Sequence, residues 1–147
     1  MNKIFKGILG VAILATMVSV TSCTKTCDKG YEGSDCKTEV RTKFAGTYSA
    51  SDNPGALVYS VTVASGTSIS DVVISSNFSD SYFVNNVKGT VDGSILTIAR
   101  QQPDNDNYFV EGTGTLSGKT ITWSYKIINA TVSPETSISY TGTWTKP

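Results

Sequence analysis

The strongest constraint on the fold is an alternation of apolar and polar residues that recurs through residues 44–147. In residues 120–127, for example, Ile121, Trp123, Tyr125 and Ile127 alternate with threonine, serine and lysine. Successive side chains of a β-strand point to opposite faces, whereas a helix would repeat its apolar residues every three or four positions. The pattern therefore predicts an all-β domain of antiparallel strands with one face in water.

Turn-forming residues divide this region into about eight strands, at 46–51, 57–64, 69–76, 82–91, 94–101, 108–116, 119–128 and 136–145. Asp92-Gly93 and Ser117-Gly118 are typical of tight hairpins, and Asp52-Asn53-Pro54-Gly55 is typical of a turn. Consecutive hairpins form an up-and-down meander, and closing it into a barrel removes both exposed edges. We predict a small antiparallel up-and-down β-barrel of about eight strands. A two-sheet β-sandwich fits the same pattern.

The first 22 residues have the character of an export signal, because Lys3 and Lys6 precede a short apolar run at 8–20. This run is too short to span a membrane as a helix. Val20-Thr21-Ser22-Cys23 resembles the bacterial lipobox. The resemblance implies that residues 1–22 are a lipoprotein signal peptide and that Cys23 carries the lipid that anchors the protein in a membrane. The alternative is an ordinary secreted protein with an incidental cysteine.

Residues 23–43 are predicted to be a leader between the anchor and the barrel. The sequence has three cysteines, and lipidation of Cys23 would leave Cys27 and Cys36 as a pair. Residues 27–36 resemble the closing loop of an EGF-like module, Cys-x-x-Gly-aromatic-x-Gly-x-x-Cys, which implies a Cys27–Cys36 disulfide. The other four cysteines of a full module are absent, so we predict a half-EGF loop. A short helix of one or two turns within 37–43 should follow, with Thr38 as a candidate N-cap.

A half-EGF loop followed by the run from Thr38 to Tyr48 is similar to a group of small lipoproteins from Bacteroidetes-type bacteria. The start of the domain, Phe44-Ala45-Gly46-Thr47-Tyr48, also resembles that of lipocalin-like barrels. These resemblances imply a lipoprotein with a lipocalin-like barrel at residues 44–147, and they imply no activity. Because Thr24 follows Cys23 where many inner-membrane lipoproteins have aspartate, we expect the outer membrane. Its periplasmic and surface faces both remain open.

Composition argues against several functions. The sequence has no histidine, which is the most common general base and metal ligand. Its other candidate acids and bases are spaced like solvated residues at strand ends, and no motif pairs them: Asp71, Asp80, Asp92 and Glu111. Without residues 1–22 the chain keeps ten basic and 12 acidic residues, dispersed without a basic stripe. We therefore expect no catalytic residues, no cofactor and no nucleic-acid partner.

Two sets of residues are candidates for ligand binding. Five aromatic residues of the predicted strands would face the barrel interior: Tyr59, Trp123, Tyr125, Tyr140 and Trp144. An eight-stranded barrel is just wide enough to be filled by side chains or to hold one small ligand, and the short domain favours a filled core. Asp104 and Asp106 offer oxygen ligands of the kind that calcium takes. Their loop lacks the glycine and glutamate of an EF-hand, so we expect an Asx-rich turn without metal.

These features together predict a lipid-anchored protein of the cell envelope that acts as a non-catalytic binding or interaction module. Its expected partners are the membrane, through Cys23, and a protein, glycan or small apolar ligand at the loops or the barrel mouth. Two alternatives stay open: a purely structural envelope lipoprotein, and a lipocalin-like carrier of a small apolar ligand.

Overall fold

The computed structural model describes residues 26–55, 57–75 and 77–147. The predicted signal peptide and Cys23 lie outside these described residues. The elements follow in chain order: β1 (Tyr31–Glu32), β2 (Thr38–Glu39), a 3-10 helix (Val40–Lys43), β3 (Gly46–Asn53), β4 (Val58–Ser65), β5 (Asp71–Ile74), α1 (Phe78–Ser81), β6 (Val87–Asp92), β7 (Ile95–Gln101), β8 (Tyr108–Ser117), β9 (Thr120–Asn129) and β10 (Thr136–Thr145). Within the described ranges, no helix is long and apolar enough to cross a membrane.

Strands β3 to β10 form a closed antiparallel barrel in which each strand pairs with its neighbours in the chain. The last strand, β10, closes the barrel by pairing with β3, for example Trp144 opposite Ala50. The longest ladder joins β9 and β10, from Thr120 opposite Thr145 to Asn129 opposite Thr136. The prediction of an eight-stranded up-and-down barrel is confirmed, and the closed sheet excludes the two-sheet sandwich.

One predicted strand boundary is wrong by more than two residues. The strand expected at 82–91 begins only at Val87. The preceding residues, 75–86, form a connection that contains α1 and brings the rings of Phe78 and Phe83 into the core, where they are 0% and 1% exposed. Burial of these two rings outweighs the β-propensity of the segment, because propensity for strand is a weak preference that packing readily overrides.

The barrel interior is a packed core. The ring of Phe78 lies between the inward-facing aromatic residues, with centroids 4.9 Å from Tyr125, 5.6 Å from Trp144 and 6.2 Å from Trp123. Tyr48 lies at the same core, 6.4 Å from Trp144. Each buried aromatic side chain contributes roughly 1.5–3 kcal/mol of transfer free energy, so this cluster is a principal source of stability.

The two ends of the barrel differ. We define the base as the end that carries the loop at 66–70, the hairpin turns at 93–94 and 118–119, and the C-terminus. We define the mouth as the opposite end, formed by the connections 54–57, 75–86, 102–107 and 130–135. At the base, the amine of Lys146 donates to the carbonyl oxygens of Lys43 and Ala45, both at 2.7 Å, and so holds the end of β10 against the start of β3.

The leader packs against the base. Val40 is buried in the core, and its amide donates to the carbonyl of Gly30 at 2.9 Å. The guanidinium of Arg41 donates to the carbonyl oxygens of Gly66 and Ser68, at 2.9 and 2.6 Å. Gly30 has a positive φ of 92°, and a Cβ there would lie 2.8 Å from Ile69. The leader is therefore fixed to the barrel by both burial and hydrogen bonds.

Within the leader, the structure contains the Cys27–Cys36 disulfide, with the two Cα atoms 5.2 Å apart. A short helix lies within residues 37–43 as predicted, but Thr38 is not its N-cap. Thr38 belongs to β2, where it pairs with Glu32, and the 3-10 helix begins at Val40 without a side-chain cap. Pairing with β1 holds Thr38 in an extended conformation, so Glu39 occupies the N-cap position, one residue later than predicted.

Candidate binding site at the barrel mouth

Asp52 is the one charged residue that is buried among those described, with 6% of its surface exposed. It points inward because the alternation of β3 places Tyr48 and Ala50 on the same face. One carboxylate oxygen, Oδ2, accepts hydrogen bonds from the hydroxyls of Tyr59 and of Tyr125, the latter at 2.7 Å. The other, Oδ1, accepts from the indole nitrogen of Trp144 at 3.2 Å. Three donors thus replace the water that a buried carboxylate loses.

Gly142 provides the space for this carboxylate. It lies directly opposite Asp52 in the β3–β10 ladder, on the inward face of β10. A Cβ at this position would overlap Oδ1 of Asp52. Any larger residue at 142 would have to displace the carboxylate from its hydrogen-bond donors.

A left-handed turn covers this network from the mouth. Ser79, Asp80 and Ser81 have φ angles of 53°, 56° and 63°, a conformation that costs a non-glycine residue about 1–2 kcal/mol. Phe78 fixes one end of the turn in the core, and Ser79 Oγ is hydrogen-bonded to the Tyr125 hydroxyl at 2.9 Å. Strained backbone of this kind concentrates at functional sites, where the surrounding structure holds it in place.

Above the network, a cleft of about 240 Å³ opens at the mouth. Its walls contain three tyrosines and two carboxylates but no lysine or arginine; the lining residues are Asp52, Pro54, Gly55, Leu57, Tyr59, Ser79, Asp80, Tyr82 and Tyr140. The ring of Tyr140 stacks on that of Tyr125, with centroids 5.0 Å apart and planes 6° from parallel. The cleft therefore has a floor of hydrogen-bonded polar groups and walls that are largely aromatic.

The two tyrosines that donate to Asp52 remain protonated. Burial raises the pKa of Tyr59 far above its usual range, and the hydrogen bond and charge of Asp52 raise it further. Burial also raises the pKa of Tyr125, with Asp52 adding to the effect while the hydrogen bond to Ser79 opposes it. Both hydroxyls are consequently donors, which suits the binding of a carboxylate and gives neither tyrosine the character of a base.

Exposed apolar side chains lie at the mouth, and two of them, Leu57 and Tyr82, also line the cleft. We call this set the apolar rim: Leu57, Tyr82, Val84, Val132 and Ile138. The exposed fraction reaches 83% at Val84 and 66% at Leu57. The four connections of the mouth also contain four acidic residues and no lysine or arginine; the acidic residues are Asp80, Asp104, Asp106 and Glu135. One of the four, Glu135, forms an ion pair with Arg100 of β7 at 2.8 Å. The mouth is thus apolar, and its other three acidic residues form no ion pair among the described residues.

The structure divides the five aromatic candidates into two groups. Tyr59 and Tyr140 line the cleft, and Tyr125 lies beneath it as part of the Asp52 network. Trp123 and Trp144 are 1% and 0% exposed and belong to the core.

Asp52 was not predicted as a site residue, because the sequence places it in the turn Asp52-Asn53-Pro54-Gly55 after the first barrel strand. The available signal was the alternation of that strand, since Tyr48 and Ala50 predict an inward side chain at position 52.

The two acidic residues considered for calcium are engaged in holding loops. The carboxylate oxygens of Asp104 accept the amides of Val84 and Asn85, both at 2.8 Å, and tie the connection 75–86 to the loop 102–107. Asp106 accepts the amide of Tyr108 at 3.0 Å, as in an Asx turn. In the part of the chain that is described, no three His, Cys, Asp or Glu side chains lie close enough together to hold a metal ion.

Larger clefts lie on the outer surface of the barrel. One of about 660 Å³ runs along β5, β6 and β7, and one of about 440 Å³ crosses β7, β8 and β9. In the first, the side-chain amide of Gln101 pairs with the amide and carbonyl of Lys88, at 2.9 and 2.6 Å, where β6 and β7 separate. Neither cleft contains a buried charged group, so the mouth is the better candidate for a binding site.

Comparison with known proteins assigns no function. No protein-family model matches the chain, and neither a curated protein nor a solved structure is significantly similar to it. The function must therefore be inferred from the geometry of the mouth.

Proposed function

We propose that the protein is a lipid-anchored module of the bacterial outer membrane that binds a partner at the barrel mouth without catalysing a reaction. The observation that carries this proposal is the placement of the leader and the apolar rim at opposite ends of the barrel. The leader packs at the base through Val40 and Arg41, whereas the rim and the cleft lie at the mouth.

With the leader at the base, a lipid anchor at Cys23 would set the orientation of the barrel relative to the membrane. The described chain begins at Thr26, three residues after Cys23, and enters the barrel from the base. A lipid on Cys23 would therefore hold the base towards the membrane and leave the mouth facing away from it. Exposed apolar surface at the far end from a membrane is of the kind that marks protein interaction sites.

The packed interior favours binding at the mouth over transport of a ligand inside the barrel. Phe78 occupies the centre of the barrel among Trp123, Tyr125 and Trp144. A small apolar ligand would have to displace these rings, whereas a partner at the rim would displace none of them. The carboxylate of Asp52 is engaged by neutral donors rather than by a nucleophile, which supports binding rather than catalysis.

The anchor is tested by fractionating cells that express the full chain and a Cys23→Ser variant. We expect the wild-type protein in the outer-membrane fraction, with an acylated Cys23 at its N-terminus by mass spectrometry. The variant should be released in soluble form. Recovery of the wild-type protein with an unmodified Cys23 would refute the anchor.

Binding at the mouth is tested by placing a photo-crosslinking amino acid at Val84 in intact cells. Ile95, which is 41% exposed beside the hairpin turn at the base, provides the matched control. We expect a discrete crosslinked species from position 84 that is absent from position 95. Equal crosslinking from both positions, or none from position 84, would contradict a specific partner at the mouth.

A further inference from the structure

We propose that the cleft at the mouth takes a lysine or arginine side chain from a partner polypeptide whose neighbouring residues are apolar. This inference rests on the proposed function and specifies the chemistry of the partner. Three properties of the mouth support it: an acidic floor without a cation, aromatic walls and a volume suited to one side chain.

The floor lacks a positive charge to match Asp52. Its three hydrogen-bond donors, from Tyr59, Tyr125 and Trp144, are neutral groups. None of the four ion pairs found among the described residues includes Asp52 or Asp80. Asp80 adds a second carboxylate to the lining, and the mouth connections contain no basic residue. Since no lysine or arginine lines the cleft, a cation that enters it meets the negative potential of Asp52 and Asp80.

A cation in the cleft need not displace the hydrogen-bond donors of Asp52. A carboxylate has about four lone-pair positions, and three of these are used: two on Oδ2 and one on Oδ1. The remaining position is on Oδ1, which lies against Gly142, so an ammonium or guanidinium group in the cleft would be attracted by the charge of Asp52 without replacing its donors. A bare divalent metal ion needs several oxygen ligands at once, and the existing donors to Asp52 would have to leave.

The walls suit the stem and the head of a basic side chain. Tyr59, Tyr82 and Tyr140 line the cleft, and tyrosine rings attract ammonium and guanidinium groups within about 6 Å. Leu57 adds apolar surface against which the methylene groups of lysine or arginine can pack. An anionic or purely apolar group would gain less, because the carboxylates at the floor would repel it or lose hydration without compensation.

The size of the cleft and its surroundings favour a side chain of a larger molecule over a free ligand. Its volume of about 240 Å³ lies below the roughly 300–1,000 Å³ of typical small-molecule sites. The apolar rim around it offers further surface that a free amine would leave uncovered. A basic anchor in a pocket with apolar contacts around it is a common arrangement at the centre of protein interfaces.

The test uses the mature chain with Cys23→Ser and the probe acetyl-leucyl-lysyl-leucine amide, with binding followed by NMR of the tyrosine rings. The analogue with norleucine in place of lysine is the neutral control, and butylammonium represents a free amine. We expect the lysine peptide to bind at least tenfold more tightly than either control and to shift the signals of Tyr59 and Tyr140. Its affinity should fall when ionic strength rises from about 0.01 to 0.15 M.

Two outcomes of these titrations would overturn the inference. Equal affinity for the lysine and norleucine peptides would show that the cleft does not select a cation. Butylammonium binding as tightly as the lysine peptide would show that the ligand is a free amine and that the rim contributes nothing.

Variants locate the binding. Asp80→Asn removes an exposed carboxylate of the cleft without touching the core, and we expect it to weaken binding of the lysine peptide severalfold. Asp52→Asn should abolish binding, and Asp80→Asn keeps the test valid if the Asp52 variant does not fold. Asp92→Asn, at the base, is the matched control and should bind like the wild type. Unchanged affinity of Asp80→Asn would overturn the inference.

The inference and the proposed function can fail separately. Crosslinking from Val84 together with no binding of the lysine peptide would mean that the mouth has a partner of different chemistry. Loss of both would refute the binding function itself.

Discussion

Two buried tryptophans offer a controlled measurement of the Asp52 network. Trp123 and Trp144 are both at most 1% exposed, their rings are 4.8 Å apart, and both contact Phe78. They differ in their indole nitrogens. That of Trp144 donates to Asp52, whereas that of Trp123 has no hydrogen-bond partner among the described residues. Replacing each with phenylalanine therefore removes the same ring volume. In Trp144 it also removes a hydrogen bond to Asp52, whereas in Trp123 it removes a donor that has no partner among the described residues.

We expect Trp144→Phe to be more destabilising than Trp123→Phe. A hydrogen bond to a charged group contributes about 1.5–3 kcal/mol, and Trp144→Phe removes one from a buried carboxylate. A buried donor without a partner costs about 1–3 kcal/mol, and Trp123→Phe relieves that cost. The packing loss is common to both variants, so the difference isolates these two effects. The free energy of unfolding of Trp144→Phe should be lower than that of Trp123→Phe by at least about 2 kcal/mol.

The assay is urea denaturation followed by far-UV circular dichroism, with the slope of each transition compared before the midpoints are interpreted. Equal slopes would show that both variants unfold from equally compact states. Equal losses of stability in the two variants, or a greater loss in Trp123→Phe, would refute the proposed contribution of the Trp144 hydrogen bond.

Three further predictions concern other parts of the barrel. Because burial raises the pKa values of Tyr48 and Tyr125 above the value of about 10 expected in the unfolded chain, only the unfolded state releases these protons just above pH 10. The contribution of these tyrosines to the free energy of unfolding should be fully present below pH 10 and decrease as pH rises above it. A urea midpoint that is constant from pH 9 to 11.5 would contradict this. Gly142→Ala should lower the free energy of unfolding by about 1–3 kcal/mol through overlap with Asp52, and a double-mutant cycle with Asp52→Ala should show that most of this loss disappears when the carboxylate is absent. Reduction of the disulfide at Cys27 should increase hydrogen exchange in the leader while the amides of β8 and β9 stay protected, and equal exposure of both regions would show that the leader is part of the cooperative unit.

The strands could be predicted because their signal is local. The alternation around Trp123 and the turn at Asp92-Gly93 each occupy fewer than ten residues, and both matched the structure. The connection 75–86 could not be predicted in this way. Phe78 and Phe83 are apolar residues in a segment that resembles a strand, and their burial depends on strands that lie elsewhere in the chain.

The site depends on register, which the sequence does not specify. Asp52 and Gly142 are opposite each other only because the barrel closes between β3 and β10. Sequence alone also could not separate Tyr140, which lines the cleft, from Trp144, which lies in the core, since both face inward on the same strand. The depth of a side chain within the barrel follows from the stagger of the strands, and this is fixed only when all eight have paired.

The ladder that closes the barrel also determines when the protein can fold. It joins Ala50 to Trp144 across most of the domain's length, so the first strand of the barrel to be synthesised cannot complete its pairing until the last one is made. Until β10 is made, β3 has a free edge, and the aromatic rings of the core have no complete wall around them. Contacts between such distant positions form slowly, and partly folded chains with exposed edges aggregate. Truncation of β10 would therefore leave an open sheet with exposed, aggregation-prone edges rather than a smaller barrel.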